Sequence, residues 1–302
     1  DLLTQAGSVW NKNKIDLTRS FDYTFNVYLG CKDAEGADGL VFVLQPIGTS
    51  IGSTGQGLGF EGVQPSVGIP IDTWQNSDFN DPAYDHIGIY KNGDLVNGTA
   101  NTLAGPVPVL DNFGNIEDCQ WHLFRITWDA SSFTLSAEID GVPRVQTKTD
   151  LVKDIFHNDP EVFWGFSAAT GGESNVQKIC TSLNPGYALA DGQKTCAPAT
   201  LTFRDSSVSF GSIVKWYWDF GDGAAYTGGP TPPPHNYPEP GYYTIKLNIL
   251  GNDGCLSDTF THRITIGSKP IAGFTSLPKV ICANSPAILY DASQVQYGSI
   301  IA

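Results

Sequence analysis

The stretch 71–89 (IDTWQNSDFNDPAYDHIGI) places several oxygen-bearing side chains between two β-strand patterns. Residues two apart in an extended chain face the same side, so Asp72, Trp74 and Asn76 project together. Four hard oxygen ligands are available: the carboxylates of Asp72 and Asp81, the main-chain carbonyl of Trp74 and the amide oxygen of Asn76. Ca²⁺ prefers such ligands, with waters completing its six to eight positions, so we predict a calcium site here.

His86 begins the second strand pattern and faces away from Ile87 and Ile89. Its imidazole can reach a transition metal that shares the Asp72 and Asp81 carboxylates, since imidazole nitrogen is a frequent ligand of such metals. The alternative is an ordinary polar loop, because Asn and Asp are frequent in turns. Composition alone favours that alternative.

The elements on either side of this loop are short strands. Alternating runs such as FDYTFNVYLG (21–30), GLVFVLQ (39–45) and HLFRITWD (122–129) recur through the first predicted domain, 1–182. Only residues 150–156 suggest a helical turn. We therefore expect an all-β protein whose first domain consists of two packed sheets around one core.

The charge balance and the cysteines limit the classes of function. The formal net charge is −14, so no basic surface is expected that could neutralise the phosphates of a nucleic acid. The sequence has no apolar run long enough to cross a membrane, so we expect no membrane span. Six cysteines without a Cys-x-x-Cys pair indicate disulfides and an oxidising compartment. We therefore expect a secreted or cell-surface protein.

The remainder of the chain divides into a linker and two related segments. Residues 183–193 are predicted as a linker, and residues 194–267 contain about six strand patterns, the size of a small immunoglobulin-like sandwich. The stretch TCAPATLTFRDSSVSFGSIV (195–214) aligns with ICANSPAILYDASQVQYGSIIA (281–302). Residues 268–302 are therefore predicted to be the truncated start of a second repeat, with further repeats expected beyond it.

The repeat also suggests how the cysteines pair. Cys196 precedes the first strand pattern of the repeat and Cys255 follows its Asn-Asp-Gly turn, so we predict a Cys196–Cys255 disulfide. Cys31 and Cys119 can close a loop within the first domain, and we predict that bond as well. Cys282 needs a partner beyond the end of the chain and is expected to be free. Cys180 is left without an assigned partner.

Four motifs resemble those of legume-type (L-type) lectins, in the order found in that family. The metal loop has the pattern D-T-W-x-N-x₄-D-P-x₃-H-I-G-I (72–89). The others are GADG followed by LVFVLQ (36–45), GQGLGF (55–60) and GFSAATGGESN (165–175). Together they are spread from residue 36 to residue 175, across most of residues 1–180. The resemblance implies a concanavalin-like jelly-roll sandwich and a carbohydrate-binding function.

The resemblance also implies roles for individual residues. Calcium ligation is implied for Asp72, Trp74 (through its carbonyl), Asn76 and Asp81. Asn76 then keeps its amide NH₂ free for a sugar hydroxyl, Asp38 accepts from two hydroxyls, and the Trp74 ring stacks on a pyranose. The implied carbohydrate-binding residues are Asp38, Gln56 (through its backbone N–H), Gly57, Trp74, Asn76, Gly172 and Glu173. The family also implies a cis peptide between Ala37 and Asp38.

Two positions depart from the family pattern. The family uses a Glu two residues before the first Asp to bind a second, transition metal, and Pro70 stands at that position here. The departure implies a weak second site at His86 or none. Pro70 also cannot donate to a β-ladder, so its strand is expected to be an edge strand or bulged. Gln56 replaces the usual Gly, which keeps the backbone donor but adds a side chain at the pocket rim.

The second segment resembles the polycystic-kidney-disease (PKD) repeat. The resemblance rests on WYWDFGDG (216–223), on the P-x-H-N-Y pattern that follows it, and on YYTIKLNIL. It implies a spacer module, with Asp219 and Asp222 in a turn and Trp216 or Trp218 in the core.

These observations favour a calcium-dependent lectin that forms the head of an extracellular adhesin, in a domain order resembling that of large bacterial surface proteins. Its partners are then glycans, and no enzymatic activity is expected. One alternative is a structural stalk whose lectin-like head has lost its sugar. Another is a glycoside hydrolase, which needs two carboxylates flanking the bond. Glu138 and Asp140 match that requirement only in part, because Asp140-Gly141 is a turn pattern.

Overall fold

The computed structural model describes residues 2–50, 55–190, 196–209, 211–252, 254–277, 280 and 282–300. The chain divides into two compact units, Asp1–Cys180 (unit 1) and Thr181–Ala302 (unit 2). Both consist mainly of β-strands, which confirms the all-β class. Over the residues that are described, no helix is both long enough and apolar enough to cross a membrane.

Unit 1 is a sandwich of two sheets. In chain order its strands are β1 (Ala6–Trp10), β2 (Ile15–Asp16), β3 (Phe21–Tyr28), β4 (Gly39–Gln45), β5 (Val67–Asp72), β6 (His86–Lys91), β7 (Thr102–Pro108), β8 (His122–Asp129), β9 (Thr134–Ile139), β10 (Val142–Lys148), β11 (Glu161–Ala169) and β12 (Lys178–Thr181). Sheet 1 has the order β1-β11-β4-β5-β6-β7, with β2 paired to β11, and sheet 2 has the order β10-β9-β8-β3-β12. Short helical segments occur at Gly55–Gly57, Ser77–Phe79, Asp111–Phe113 and Leu151–Asp154 (α1).

The two sheets enclose one apolar core because their strands alternate. In β8 every second residue is buried, as expected for a strand with one face on the core. β4 differs, since all seven of its residues are buried. Its Val41 and Val43 pack on the outer side of sheet 1 with Phe60 and Tyr90. Asp72 lies on this outer side too, because the adjacent residue of β5 belongs to the sandwich core.

The register of sheet 1 brings the predicted site residues into one row. Gly39 pairs with Asp72, Asp72 pairs with His86, and His86 pairs with Pro108. Gly39 has φ +125°, and a Cβ there would lie 2.2 Å from the Ile71 carbonyl oxygen. Only glycine therefore allows β4 to begin so close to β5.

The prediction that Pro70 lies in an edge or bulged strand is wrong. β5 lies between β4 and β6, and its register with both neighbours is constant. Pro70 is paired with Val41 of β4, whereas the pairs with β6 include residues 67–68 and 71–72 but not Pro70. The interior Pro70 is accommodated because β5 stays paired with β4 at this position, and only its pairing with β6 is interrupted.

Unit 2 has a separate core. In chain order its strands are β13 (Leu183–Asn184), β14 (Tyr187–Leu189), β15 (Ala199–Leu201), β16 (Phe203–Asp205), β17 (Val208–Ser209), β18 (Ile213–Asp219), β19 (Ala225–Gly228), β20 (His235–Tyr237), β21 (Gly241–Gly251), β22 (Phe260–Ile266), β23 (Phe274–Leu277) and β24 (Ile288–Asp291). Its largest sheet has the order β19-β18-β21-β22. Trp218 is buried in the core with Phe203 and Tyr237, as the resemblance implies for one of the two tryptophans.

The predicted linker, 183–193, contains strands β13 and β14 of unit 2. β13 pairs with β17, and β14 pairs with β16. Leu183, Tyr187 and Leu189 pack against the unit 2 core, which is why this segment is extended and paired. The last residues of the predicted linker lie outside the described residues. Residues 268–302 contain the β23-β24 pair, and their assignment to a second repeat stays a prediction.

The disulfide prediction is confirmed in unit 1. Cys31 and Cys119 are joined, across 88 positions of sequence. Cys180, which the sequence left unassigned, is disulfide-bonded, and Cys282 is a free thiol as expected.

The predicted Cys196–Cys255 bond is wrong. Cys196 is a free, exposed thiol, whereas Cys255 is disulfide-bonded. The backbone of Cys196 pairs with that of Gly267 in an isolated β-bridge, and Gly267 lies just after β22. Cys255 lies before β22 in the chain. A strand of this length spans about 23 Å, far more than a disulfide can bridge. The repeat pattern did not reveal that the two cysteines lie at opposite ends of this strand.

Candidate metal centre and adjoining loops

Three buried side chains converge where β5 ends and β6 begins. Asp72 is the last residue of β5, His86 is the first residue of β6, and Asp81 follows the helical turn between them. The His86 Nε2 lies 4.0 Å from Asp72 Oδ2 and 3.6 Å from Asp81 Oδ1. One ligand atom of each residue lies within 4.8 Å of the other two. The structure thus brings together three of the side chains that the sequence predicts as metal ligands.

Burial determines the charge state of these groups. The pKa of Asp72 is raised well above its usual value, first by burial and then by the charge of Asp81. Burial also raises the pKa of Asp81 to about 6 and lowers the pKa of His86 to about 4. His86 is therefore a neutral imidazole at pH 7, while the two carboxylates repel each other. A cation bound between them would relieve that repulsion.

The chain between the two carboxylates is tied to them by its own N–H groups. The Trp74 N–H donates to Asp72 Oδ1 (3.1 Å), and the Asn76 N–H donates to Asp81 Oδ2 (2.9 Å). The Asn76 Oδ1 is buried and has no hydrogen-bond partner among the described residues. An orphaned amide oxygen with two buried carboxylates is a donor set that suits a hard cation. These residues therefore fit the calcium ion that the sequence predicts.

Asn97 supports the centre and is absent from the sequence prediction. Its Nδ2 donates to Asp81 Oδ1 (2.8 Å), and its Oδ1 accepts from the Tyr90 hydroxyl. All three side chains are buried. Asn97 holds Asp81 from a position 16 residues further along the chain, so no local spacing could have identified it.

Asp38 lies next to the metal centre and has an unused carboxylate oxygen. The Ala37–Asp38 peptide is cis, as the resemblance implies, and the next residue, Gly39, pairs with Asp72. Asp38 is buried, and its Oδ2 accepts no hydrogen bond within the described part of the chain. Burial raises the pKa of Asp38 to about 6. Above that pH, Asp38 offers a strong acceptor to an external donor.

The loop after β11 approaches Asp38 through Gly171, one position before the predicted Gly172. A Cβ on Gly171 would lie 3.2 Å from Asp38 Oδ2, whereas Gly172 has open space around it. Gly172 and Glu173 are exposed, and the Gly171 N–H donates to the Glu173 carbonyl oxygen (3.2 Å). The predicted loop therefore lies beside Asp38, with its tip facing solvent.

Gln56 connects the glycine-rich loop to the metal loop. Its Oε1 accepts from Asn76 Nδ2 (3.2 Å), and its Nε2 donates to Asp78 Oδ2 (3.3 Å). The Asn76 NH₂ is therefore not free, contrary to the prediction, because the side chain that replaces the family glycine accepts its hydrogen bond. Gly57, which follows Gln56, is buried, and a Cβ on Gly57 would lie 2.5 Å from the Glu61 Cβ.

A further buried carboxyl, that of Glu117, supports the segment that carries Asp38. Glu117 is 2% exposed, and its Oε1 accepts from Asn175 Nδ2 (2.7 Å). Asn175 Nδ2 also donates to the Lys32 carbonyl oxygen (2.8 Å), and the Asn175 N–H donates to the Ala37 carbonyl oxygen (3.0 Å). Burial raises the pKa of Glu117 to about 8, although the Asn175 hydrogen bond acts against this rise. Glu117 is therefore mostly protonated at pH 7.

The carboxylates that suggested a hydrolase have structural partners. Glu138 Oε2 lies 3.1 Å from Arg125 Nη1, in a pair between β8 and β9. Asp140 and Gly141 both have positive φ and form the predicted turn, and Asp140 Oδ2 lies 2.7 Å from His122 Nδ1.

The two aspartates of the unit 2 turn are satisfied by their own segment. Asp219 Oδ1 accepts from the Gly221 N–H (2.9 Å), and Asp222 Oδ1 accepts from the Ala224 N–H (3.0 Å). Asp222 Oδ2 also lies 2.7 Å from His235 Nε2. Asp222 lies in the turn as predicted, whereas Asp219 is the last residue of β18 and accepts a hydrogen bond from the turn.

The structure is a two-sheet sandwich with the Asp72, Asp81 and His86 cluster at one end of sheet 1, and comparison with known proteins identifies the family. Residues 1–183 match the family model of the legume lectin beta-barrel domain, so the chain belongs to the legume lectin family. Residues 184–266 match the PKD domain. These matches and the observed sheets confirm the jelly-roll sandwich expected for unit 1 and the small sandwich expected for unit 2.

Two curated relatives illustrate the similarity. The chain is 32% identical to the galactose-binding lectin of Arachis hypogaea, over 46% of this chain and 49% of the relative. It is 36% identical to the basic agglutinin of Psophocarpus tetragonolobus, over 60% and 71%. The chain thus spans about half the length of the first relative. Among solved structures it is similar to the lectin from Bauhinia forficata in complex with GalNAc (24% identity, 59% of this chain, 78% of that chain, TM-score 0.48).

Proposed function

We propose that this protein binds carbohydrate at the Asp38 loop and that binding depends on Ca²⁺. One observation carries the proposal: Asp38 Oδ2 and Asn76 Oδ1 are buried acceptors without a partner in the described chain, beside the Asp72, Asp81 and His86 cluster. Family membership supports it, and one curated relative is named as a galactose-binding lectin.

The ion would be held by the carboxylates of Asp72 and Asp81, by Asn76 Oδ1 and by the Trp74 carbonyl, where it supplies positive charge to a buried acidic centre. Asp38, ionised above pH 6, accepts hydrogen bonds from two sugar hydroxyls. The partly exposed Trp74 ring offers an apolar face to a pyranose.

The glycine-rich loop supplies both a donor and a competitor. The backbone N–H of Gln56, beside Gly57, donates to the sugar. The side-chain oxygen of Gln56 accepts a hydrogen bond from the Asn76 NH₂, the same group that would otherwise donate to a sugar hydroxyl. A bound sugar has to displace or share that hydrogen bond. Gly172 and Glu173, both exposed, tune which sugar fits.

His86 is proposed as a neutral support of the calcium centre and not as the basis of a second metal site. Pro70 stands where the family resemblance implies a Glu, which would be a further carboxylate beside Asp72 and Asp81. The metal-binding cluster found in the described residues is limited to Asp72, Asp81 and His86, and both carboxylates already serve Ca²⁺ in this proposal.

A glycan array probed in Ca²⁺, in EDTA and with Asp38→Ala tests the proposal. We expect wild-type protein to bind one class of sugar, with galactosides as the first candidates, and to lose that binding in EDTA. Asp38→Ala should lose sugar binding but keep its Ca²⁺ titration, because Asp38 is not a proposed metal ligand. Sugar binding that survives Asp38→Ala would place the sugar elsewhere. No binding by folded protein in Ca²⁺ would favour the structural-stalk alternative.

We also propose that the protein acts outside the cell as an adhesin, with the PKD unit as a spacer for the lectin unit. The Cys31–Cys119 disulfide supports an oxidising compartment. Thiol-blocking mass spectrometry of protein isolated from its native host should find these two cysteines oxidised. A reduced pair would contradict the proposed location.

A further inference from the structure

A cleft of about 310 Å³ lies on unit 1 between β7 and β10. These are terminal strands of the two sheets, so the cleft opens at the side of the sandwich. Pro108, Leu110 and Phe113 line it from the β7 side, and Pro143 and Arg144 line it from β10. Its walls are mostly apolar, with Arg144 as their cationic group. None of these residues belongs to the metal centre.

A β-bulge directs Arg144 into the cleft. Pro143 pairs with Glu138 and Val145 pairs with Ala137, so Arg144 is the extra residue between two regular pairs. Bulges re-aim the side chain of the extra residue. An arginine on a terminal strand ordinarily extends into water, but the Arg144 side chain is only 10% exposed. The backbone irregularity therefore places a largely buried cation at a surface cleft.

Within the described residues, one edge of the Arg144 guanidinium is used by the protein. Nη1 donates to Asp111 Oδ1 (2.8 Å), whereas Nε is buried and donates to no other group among the described residues. Asp111 is itself 69% exposed, so it contacts Arg144 from the solvent side. A guanidinium binds best when two parallel N–H groups donate to one carboxylate. The Nε edge of Arg144 still lacks such a partner.

Phe113 places an aromatic ring beside this arginine. It is 66% exposed, and its ring lies 5.1 Å from that of Tyr84. Both Asn112 and Phe113 have φ +56°, a conformation that residues other than glycine rarely adopt. Backbone strain of this kind concentrates at ligand sites. The turn thus keeps the exposed Phe113 ring at the cleft, although the backbone of Asn112 and Phe113 adopts a disfavoured conformation there.

We propose that this cleft binds an acidic sugar residue, a uronate, through its carboxylate. Arg144 receives the carboxylate, and Phe113 with the two prolines offers flat apolar faces to a pyranose ring. The cleft volume lies near the lower limit of small-ligand sites, which suits a single monosaccharide.

The choice of a sugar as the carrier of the carboxylate rests on the proposed function. Pro108 lies in the same row as Asp72, two strands away, which corresponds to about 10 Å across sheet 1. An acidic sugar unit bound in the cleft and a second sugar unit bound at the Asp38 loop can therefore belong to one glycan. Recognition of the carboxylate by Arg144 does not depend on this step.

Titration of the full chain with D-glucuronate in EDTA, followed by ¹H–¹⁵N NMR, tests the cleft apart from the metal centre. D-Glucose lacks the carboxylate and acetate lacks the ring, so both are matched probes. We expect saturable shifts at the cleft with glucuronate and weaker binding of the other two. Arg144→Gln should weaken glucuronate binding about tenfold or more. Phe113→Ala should weaken it about threefold, and Asp111→Asn should strengthen it by removing a competing carboxylate.

Several outcomes would overturn the proposal. Folded wild-type protein that shows no saturable glucuronate binding has no such site, and unchanged binding by folded Arg144→Gln places the ligand elsewhere. Acetate binding as tight as that of glucuronate removes the sugar from the proposal. If Arg144→Gln does not fold, Asp111→Asn decides, because weaker binding there contradicts competition for Arg144. EDTA removes the metal in every arm, so failure of calcium-dependent binding leaves these results unaffected.

Discussion

Two acidic loops, one in each unit, place their aspartates in different surroundings. In unit 1, Asp72 and Asp81 are buried together, and the Asn76 Oδ1 between them in sequence lacks a partner in the described chain. In unit 2, Asp219 and Asp222 accept hydrogen bonds from backbone N–H groups two residues further along. Backbone N–H groups also donate to Asp72 and Asp81, but the first loop buries the two carboxylates together and leaves the Asn76 Oδ1 available to an external group. The second loop uses its carboxylates, which are partly exposed, to form its own turn.

The directions of the pKa shifts express the same difference. Burial and the charge of Asp81 raise the pKa of Asp72. For Asp222, partial burial is outweighed by hydrogen bonds from His235 and from the Ala224 N–H, so its pKa is lowered. A lowered pKa means that the protein already stabilises the charge, and a raised pKa means that it does not. A group of acidic residues therefore indicates a binding site where the fold leaves its charges unsatisfied.

Replacing Asp72 by Asn should have the largest effect on this comparison. We expect Ca²⁺ affinity to fall about a hundredfold or more, and sugar binding to fall with it, because a buried charged ligand is lost. Asp222→Asn is the matched change in unit 2 and should leave Ca²⁺ affinity unchanged. Isothermal titration with Ca²⁺ measures both. An equal loss in the two variants would mean that unit 2 also contributes to calcium binding, and the contrast would fail.

Stability against pH should separate the two loops in EDTA. A carboxyl with a raised folded pKa destabilises the protein above that pKa, and this penalty disappears as pH falls toward the unfolded value. With the pKa of Asp81 at about 6, raising the pH from 4 to 7 should stabilise Asp81→Asn relative to wild type by on the order of 1–3 kcal/mol. The variant also weakens the hydrogen bonds that Asp81 accepts from Asn97 and from the Asn76 N–H, which adds an offset that does not change with pH. The pH-dependent difference should shrink between pH 6 and pH 4, and saturating Ca²⁺ should reverse it.

Asp222→Asn should change stability in the other direction. Its lowered pKa stabilises the folded state above the unfolded value, and that contribution is lost as pH falls through the folded pKa. We expect the variant to be less stable than wild type at pH 7 by about 0.2–1 kcal/mol, since the pair with His235 is partly screened by solvent. Urea unfolding of the full chain at each pH measures both differences. The same direction of change with rising pH in both variants would contradict the comparison.

The local arrangement of the candidate site was predictable from the sequence, and the long-range contacts were not. Asp72, Trp74 and Asn76 alternate within one extended segment, so their common direction follows from strand geometry. Asn97 and Glu117 reach the site from segments that approach it only after folding. No spacing within the sequence connects Asn97 to the metal loop or Glu117 to the segment before Asp38.

The fold class was predictable because alternation over six to eight residues is a strong signal, as in β8. β13 and β14 contain only two and three residues, too few to show a period, so the sequence predicts a linker there. The orientation of Arg144 was not predicted for a related reason. A bulge takes one residue out of the alternation from which the direction of a side chain is predicted. The error at Cys196 arose because a repeat pattern does not fix which end of a strand a residue occupies.

Glu117→Gln sharpens the comparison with a buried carboxyl outside the metal cluster. Because its pKa is raised to about 8, Glu117 is protonated at pH 6, and Gln is then close to an isostere. The wild type loses stability as pH rises from about 4.5 to 8, whereas the variant does not. We expect similar stability at pH 5 and a more stable variant at pH 9, by on the order of 1–4 kcal/mol. Urea unfolding in EDTA at the two pH values measures this, and a variant that is less stable at pH 9 would contradict the assigned shift.

Gln56→Gly tests a contact in which a side chain of unit 1 satisfies a group that the site needs, as the unit 2 turn satisfies its own polar groups. Removing the Gln56 amide frees the Asn76 NH₂ for a sugar hydroxyl, so sugar affinity in Ca²⁺ should rise about two- to fivefold. Gln56→Ala is the matched control, since it removes the same amide without the added backbone freedom of glycine. Titration with the sugar found on the array measures both variants. Weaker binding in both would mean that the Gln56 side chain itself binds the sugar, and that unit 1 supplies a ligand contact where it was expected to supply a competitor.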